Sequence, residues 1–278
     1  MRQQLKYFQS LITLVIVCTA AIFLSSCQPK EAANEIKVGT IAGPETQLMQ
    51  VAKNVAAKKS NLIVTIVPFT DYTMPNQALN DGEIDANMFQ TIAYLNADLR
   101  ARHYPLIIVG KTFIYPMAIY SQKIKNIAET PNNAVVAIPN DPSNQERALL
   151  LLQNAGLITL KPHSEKLATP IDIVANPKHL KIRVLDAAQL PRVLPDVTLA
   201  VINTNYAVPA GLFPTKNGLF VEGKNSPYAN VIVVRKNELS SQKVKQLVEA
   251  LHSSAVLAAA KDLFKGQAIP AWNTQGNK

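Results

Sequence analysis

The sequence is poor in cysteine, glycine and charge for its length. Only two of its 278 residues are cysteine, Cys18 and Cys27. Cys18 lies inside an apolar leader-like stretch, so the mature chain keeps one cysteine and no intramolecular disulfide is available to it. Ten glycines are few for a nucleotide-binding scaffold. The G-x-S-x-G, P-loop and G-x-G-x-x-G patterns are all absent, and no enzymatic activity is expected. His103, His163, His179 and His252 stand far apart, without H-x-x-x-H or C-x-x-C spacing. No local metal motif exists, and neither metal nor cofactor is expected. Charged residues make up 17%, with a formal net charge of +9. The lysines are scattered and form no basic run interleaved with aromatics. Nucleic acid is therefore not an expected partner; solubility or attraction to an anionic surface accounts for the charge.

Hydrophobic residues make up 48% of the chain, enough for a sizeable core in one large domain or two lobes. Arg2 and Lys6 form a basic start, and Leu11 to Leu24 is apolar and uncharged. That run is shorter than the roughly 20 residues a spanning helix needs. It ends in Leu24-Ser25-Ser26-Cys27, where small residues and a cysteine meet the end of the apolar region. This pattern reads as a lipoprotein signal peptide over 1–26 with lipidation at Cys27; an ordinary secretory signal beside a chance cysteine is the alternative. Loss of Arg2 and Lys6 leaves +7 on the mature chain. Residues 27–35 read as a lipid-anchored tether, its eight residues after Cys27 reaching about 28 Å at most.

Beyond Glu35, apolar β-branched runs alternate with helical periods, which argues for α/β architecture. Strands are expected at 36–41, 62–69, 84–89, 105–113, 134–139, 180–185, 198–203 and 228–235. Longer helices are expected at 45–59, 90–102, 143–154, 241–252 and 254–264. Met74–Asp81 reads as a short helix with Pro75 in its first turn, Pro170–Asn176 as another, and the tail from Gly266 as polar with a loose end. Asp141-Pro142 starts the 143–154 helix as N-cap and first helical residue.

Val67 to Leu95 concentrates aromatics among small and polar residues. Taken singly, Phe69, Tyr72, Phe89 and Tyr94 are core residues. Together, at or just beyond two strand ends, they form one wall of a pocket, because ligands in open α/β sheets bind beyond the carboxyl ends of strands. Arg147, two turns into its helix, belongs on the solvent face by pattern alone. Asn140, Asn203 and Asn230 lie at element ends, where asparagine serves turns and caps as readily as a ligand.

The motifs F-x-D-Y, P-N-x-A-L, G-x-I-D-A-N-x-F-Q and Y-L follow one another between Phe69 and Leu95. With VGKTFIYPMAIYS (109–121), VAIPNDPSNQERALLLLQ (136–153), LAVINTNYA (199–207) and SPYANVIVVR (226–235), they make the chain after Glu35 resemble the methionine-binding lipoproteins of bacterial ABC importers, the MetQ/NlpA lipoprotein family. The resemblance implies a two-lobed periplasmic-binding-protein type II fold. Residues 36–114 and 228–278 would build one lobe and 115–227 the other, with the ligand in the cleft. It implies a monomeric lipoprotein, anchored in the cell envelope and facing the periplasm or exterior. Such a protein passes L-methionine or a related amino acid to an ABC permease and its ATPase. It places Arg147 in the cleft on the ligand carboxylate, which a planar guanidinium suits. Asn140, Asn203 and Asn230 then face the zwitterion, and the aromatics hold the thioether.

Two other readings stay open: a binding lipoprotein for another apolar amino acid or a methionyl dipeptide, and a surface interaction or adhesin lipoprotein on the same fold. Where the family commonly has F-Q-H-x-P-Y-L, this chain has Phe89-Gln90-Thr91-Ile92-Ala93-Tyr94-Leu95. Thr91 replaces a histidine, and either lines the site or merely starts the helix. Gln28 follows the cysteine where aspartate is the usual inner-membrane retention signal, so the choice of membrane stays open.

Overall fold

The computed structural model describes residues 34–162, 166–223 and 225–273. The expected signal peptide, Cys27 and most of the tether lie outside the described residues. Glu35, assigned to the tether, instead opens the first strand.

In chain order the elements are β1 (Glu35–Ile41), α1 (Pro44–Ser60), β2 (Ile63–Phe69), α2 (Pro75–Asn80), β3 (Ala86–Thr91), α3 (Ile92–Arg102) and β4 (Leu106–Ile114). Next come β5 (Ala118–Tyr120), β6 (Val135–Pro139), α4 (Pro142–Asn154), β7 (Thr159–Leu160), β8 (Ile173–Ala175), β9 (Lys181–Leu185) and α5 (Leu190–Val193). They are followed by β10 (Leu199–Ile202), α6 (Thr204–Ala207), α7 (Pro214–Asn217), β11 (Phe220–Val221), β12 (Ala229–Arg235), α8 (Gln242–Leu251), α9 (Ser254–Leu263) and β13 (Ile269–Pro270).

Eleven of these strands build two larger sheets, one per lobe, and β7 and β8 form a separate pair. The first has the order β13-β4-β12-β3-β1-β2 and the second β11-β5-β10-β6-β9. The chain leaves the first sheet after Ile114, enters the second at Ala118, and returns between Val221 and Ala229. Pro116 falls in the outgoing passage, where no ladder needs its missing N–H. In the first sheet β1 pairs in parallel with both β2 and β3, while β12 runs antiparallel between β3 and β4. In the second, β6 is parallel to β9 and β10. The carboxyl ends of β3, β6 and β10 therefore lead into α3, α4 and α6.

Each lobe has its own core. Leu48, Met49, Ala52 and Ala56 of α1 pack with Val244, Leu247 and Leu251 of α8 against Ile36, Val38 and Ile232 of the first sheet. Ala148, Leu149 and Leu152 of α4 pack on Val136, Ile138 and Val201 of the second. These are the apolar faces that the helical and strand periods single out.

Three segments depart from or add to what the sequence predicts. Pro170–Asn176 is not a helix: a single 3-10 turn over Pro170–Asp172 gives way to β8, which pairs with β7. Asp172 accepts from the Thr169 N–H (2.7 Å) and closes the turn, after which β-branched Ile173 and Val174 favour a strand. The tail from Gly266 is docked as far as it is described, and its end, expected to be loose, lies outside the described residues. Ile269 pairs with Ile114, Gln267 bonds Thr215, and Trp272 packs edge-on against Phe113 with centroids 4.9 Å apart. Thirdly, β3 runs to Thr91, so Gln90 and Thr91 belong to the strand and α3 begins at Ile92.

Candidate functional site

β3 is buried along all six residues although three of them are polar. The cost of burying those amides is met by a network beneath the strand. Asn76 on α2 donates to Gln90 Oε1 and Asp98 Oδ2, both at 2.9 Å, and accepts from Asn87 (2.9 Å) and Gln90 (2.6 Å). The P-N-x-A-L and D-A-N-x-F-Q motifs are thus one hydrogen-bonded unit that fixes the end of β3.

Beyond that end lies a pocket with an empty volume of about 340 Å3. One side is aromatic. Tyr72 lies 6.0 Å from Phe89 and 5.9 Å from Tyr94, and Phe89 and Tyr94 are 5.6 Å apart, ring centre to ring centre. The Tyr94 hydroxyl donates to the Tyr72 carbonyl at 2.8 Å, which fixes the two rings mutually. Tyr206 of the second lobe packs 4.9 Å from Tyr72. Burial, first of all, pushes the Tyr72 and Tyr94 phenols above their ordinary range, so both stay neutral.

The other side is polar. Asp141 caps α4 by accepting from the Asn144 N–H (2.9 Å) and from its side-chain amide (3.0 Å). Burial raises the Asp141 carboxyl, against these bonds from Asn144, which lower it. Asn144 Oδ1 in turn accepts from Asn203 Nδ2 at 2.8 Å. That leaves Asn203 Oδ1, and likewise Asn205 Oδ1, buried and without a hydrogen-bond partner. The pocket places two orphaned acceptors opposite the aromatic wall, where a cationic donor would satisfy them.

Arg147 is 4% exposed. The solvent-face reading from pattern alone is therefore overturned, because the guanidinium has an acidic partner in the interior. Its Nε and Nη2 bond Glu222 Oε1 (3.0 Å) and Oε2 (2.5 Å), and Nη2 also donates to the Tyr115 carbonyl (2.9 Å). The Tyr228 ring lies 4.3 Å from the guanidinium carbon. The Nε/Nη2 edge is thus occupied within the protein. That edge is therefore not available for the two-pronged grip on a ligand that the sequence suggests.

Of the expected residues, Tyr72, Phe89, Tyr94, Arg147, Asn203 and Asn230 line the pocket. Phe69 and Asn140 do not. Phe69 packs behind the wall with Ile41, Tyr72 and Phe89, its ring against Gly39. Asn140 is exposed, one residue before the cap. The asparagine from that segment that does line the pocket is Asn144, one helical turn further on. Thr91 does both things the sequence left open. Its Oγ1 caps α3 by accepting from Tyr94 N at 3.1 Å, and it lines the pocket. Gln90, Tyr115, Thr204 and Asn205 also line it, and Glu222, Tyr228 and Tyr206 support it. Glu222 and Tyr228 lie 75 and 81 positions from Arg147 in the chain, and no local pattern joins them to it. Among the described residues no group of acids, histidines and cysteines is placed to hold a metal ion.

The profile of the NlpA lipoprotein family matches residues 36–272. The D-methionine-binding lipoprotein MetQ of Salmonella typhi is 49% identical over 255 residues, covering 91% of this chain and 94% of that protein. A periplasmic substrate-binding protein of an ABC transporter from Coxiella burnetii is 57% identical, with a TM-score of 0.82 over 85% of this chain and all of its own. A nutrient-binding protein from Burkholderia cenocepacia, solved bound to methionine, is 48% identical, with a TM-score of 0.84 over 85% of this chain and 100% of that one.

Proposed function

Since the chain belongs to the NlpA lipoprotein family, we propose that it captures methionine between its two lobes and delivers it to the permease and ATPase of an ABC importer. The role is binding, not catalysis. One observation carries the ligand assignment: an aromatic cage, a buried arginine and two orphaned amide oxygens share one small pocket. The α-carboxylate meets Arg147 Nη1, with Asn230 beside it. The α-ammonium donates to Asn203 and Asn205, and the thioether lies among Tyr72, Phe89 and Tyr94. Sulfur–aromatic contacts contribute about 0.3–1.5 kcal/mol each, so the cage favours a thioether without excluding other linear apolar chains. Relatives described as D-methionine-binding and as bound to methionine support the choice of ligand.

Attachment through acylated Cys27 accounts for membrane association. No helix among the described residues is long and apolar enough to cross a membrane. The test is calorimetric titration with L-methionine, D-methionine, leucine and glycyl-methionine, with mass spectrometry of whatever co-purifies. Saturable one-to-one binding of methionine in preference to leucine is expected. Preference for leucine or the dipeptide would reassign the ligand, and absence of binding to all four would remove the transport reading.

A further inference from the structure

The most unusual side chain in the described molecule is outside the pocket. Glu45, in the first turn of α1, is 1% exposed. Neither carboxyl oxygen has a hydrogen-bond partner, and among the described residues no cationic side chain pairs with it. The nearest polar groups are the Asn205 amide and the Ile41 N–H. Asn205 Oδ1 is itself buried and unpartnered.

Glu45 lies on the first lobe, on the helix that follows β1. Asn205 lies on the second, on the helix that follows β10. Their surroundings mark a lobe-to-lobe contact. Gly43, with φ of +127°, comes so close that a Cβ there would sit 3.2 Å from Pro209. The Tyr206 hydroxyl reaches the Thr70 carbonyl at 3.4 Å, and Tyr206 packs on Tyr72. Separating the lobes would expose the Glu45 carboxyl to water; bringing them together buries it.

We propose that Glu45 is a proton-binding site built into the contact between the lobes, so that ligand capture takes up one proton. A protonated carboxyl donates to Asn205 Oδ1 while its other oxygen faces the Ile41 N–H. One proton then satisfies acceptors that an ionised carboxylate leaves opposed. The ionisable groups facing Glu45 are the phenols of Tyr72 after β2, Tyr115 between the lobes and Tyr206 on α6. Burial raises all three, so none supplies or removes charge near neutrality. The Asn205 amide, the Ile41 N–H and the N-terminus of α1 favour the ionised form. Burial outweighs them and pushes the carboxyl up from 4.5 to about 8. With the closed-state value above the open-state one, the contribution to closure is complete below the open-state pKa and is lost as pH rises through about 8.

The inference uses the methionine reading only for its probe. L-methionine is titrated into the wild-type protein between pH 6 and 9, in buffers of differing ionisation heat. Close to one proton should be taken up per ligand near pH 7, and Kd should rise by up to about tenfold per pH unit below pH 8. Glu45→Gln, a permanently neutral isostere, should take up none and should bind more tightly than wild type at pH 9. Zero uptake in wild type, an unchanged slope in the variant, or weaker binding by the variant at every pH overturns the proposal. The wild-type proton count needs no variant. Should L-methionine give no heat at any pH, the capture reading fails. Glu45 is then judged by small-angle scattering without ligand: the wild type should be more compact at pH 6 than at pH 9 while Glu45→Gln stays constant, and parallel profiles overturn the proposal.

Discussion

Among single residues, Arg147 is the one on which the proposed binding most depends. A buried guanidinium held by Glu222, the Tyr115 carbonyl and the Tyr228 ring has a fixed direction. Little side-chain entropy is left for the ligand to quench, so contact with Nη1 converts efficiently into affinity. Arg147→Ala should cost about 2–5 kcal/mol, a thirty- to several-thousand-fold rise in Kd for methionine by calorimetry. A Kd within about threefold of wild type, roughly 0.65 kcal/mol, would show that the carboxylate is held elsewhere. Thr91 calls for two readouts because it has two contacts. Thr91→Ala removes the cap on α3 and should cost about 1 kcal/mol of stability in urea. It should leave the pH dependence of binding unchanged, since a hydroxyl does not titrate near neutrality.

At the element scale, β3 decides where the pocket lies. A buried strand carrying Asn87 and Gln90 has its side-chain amides satisfied by Asn76, which itself donates to Asp98. Asn76→Ala removes the shared partner and leaves several buried polar groups unpaired. We expect a loss of about 2–4 kcal/mol by urea unfolding, with binding weakened as the strand end shifts. Retention of wild-type stability would show that the network is dispensable. The outgoing passage between lobes is tied in a comparable way, by Thr204 Oγ1 donating to the Pro116 carbonyl at 2.5 Å. A pocket residue and the connecting segment are thereby linked through one bond.

At the scale of the whole molecule, enclosure governs affinity. Methionine has nine heavy atoms, and the best tiny ligands reach about 1.5 kcal/mol per atom. The ceiling is near 13 kcal/mol, so nanomolar binding needs almost complete burial between the lobes. Small-angle scattering should show a smaller radius of gyration with saturating L-methionine. Tight binding without compaction would mean a pocket already closed before the ligand arrives. The anchor proposed at Cys27 is tested separately. Cys27→Ala should abolish acyl labelling and move the protein out of the detergent phase; unchanged partitioning would show that lipid on Cys27 is not the anchor.

The sequence by itself determined the α/β alternation, the family and most of the aromatic wall. These follow from local order: period-two and period-3.6 runs, Asp141-Pro142 before a helix, and four aromatics within one short stretch. Only the tertiary structure decided which polar residues matter. Asn140 and Asn144 both suit the end of β6, and helical geometry brings Asn144 to Asn203 while Asn140 stays in solvent. Arg147 reads as a surface residue until Glu222 arrives from the far end of the second lobe. Phe69 has the composition of a wall residue, yet it packs behind the wall because Gly39 leaves room for its ring. Glu45 looks like an ordinary first-turn acid, favoured there by the helix dipole. Its burial beside Asn205 comes from the meeting of two lobes, and long-range contact of that kind leaves no periodic trace in either segment.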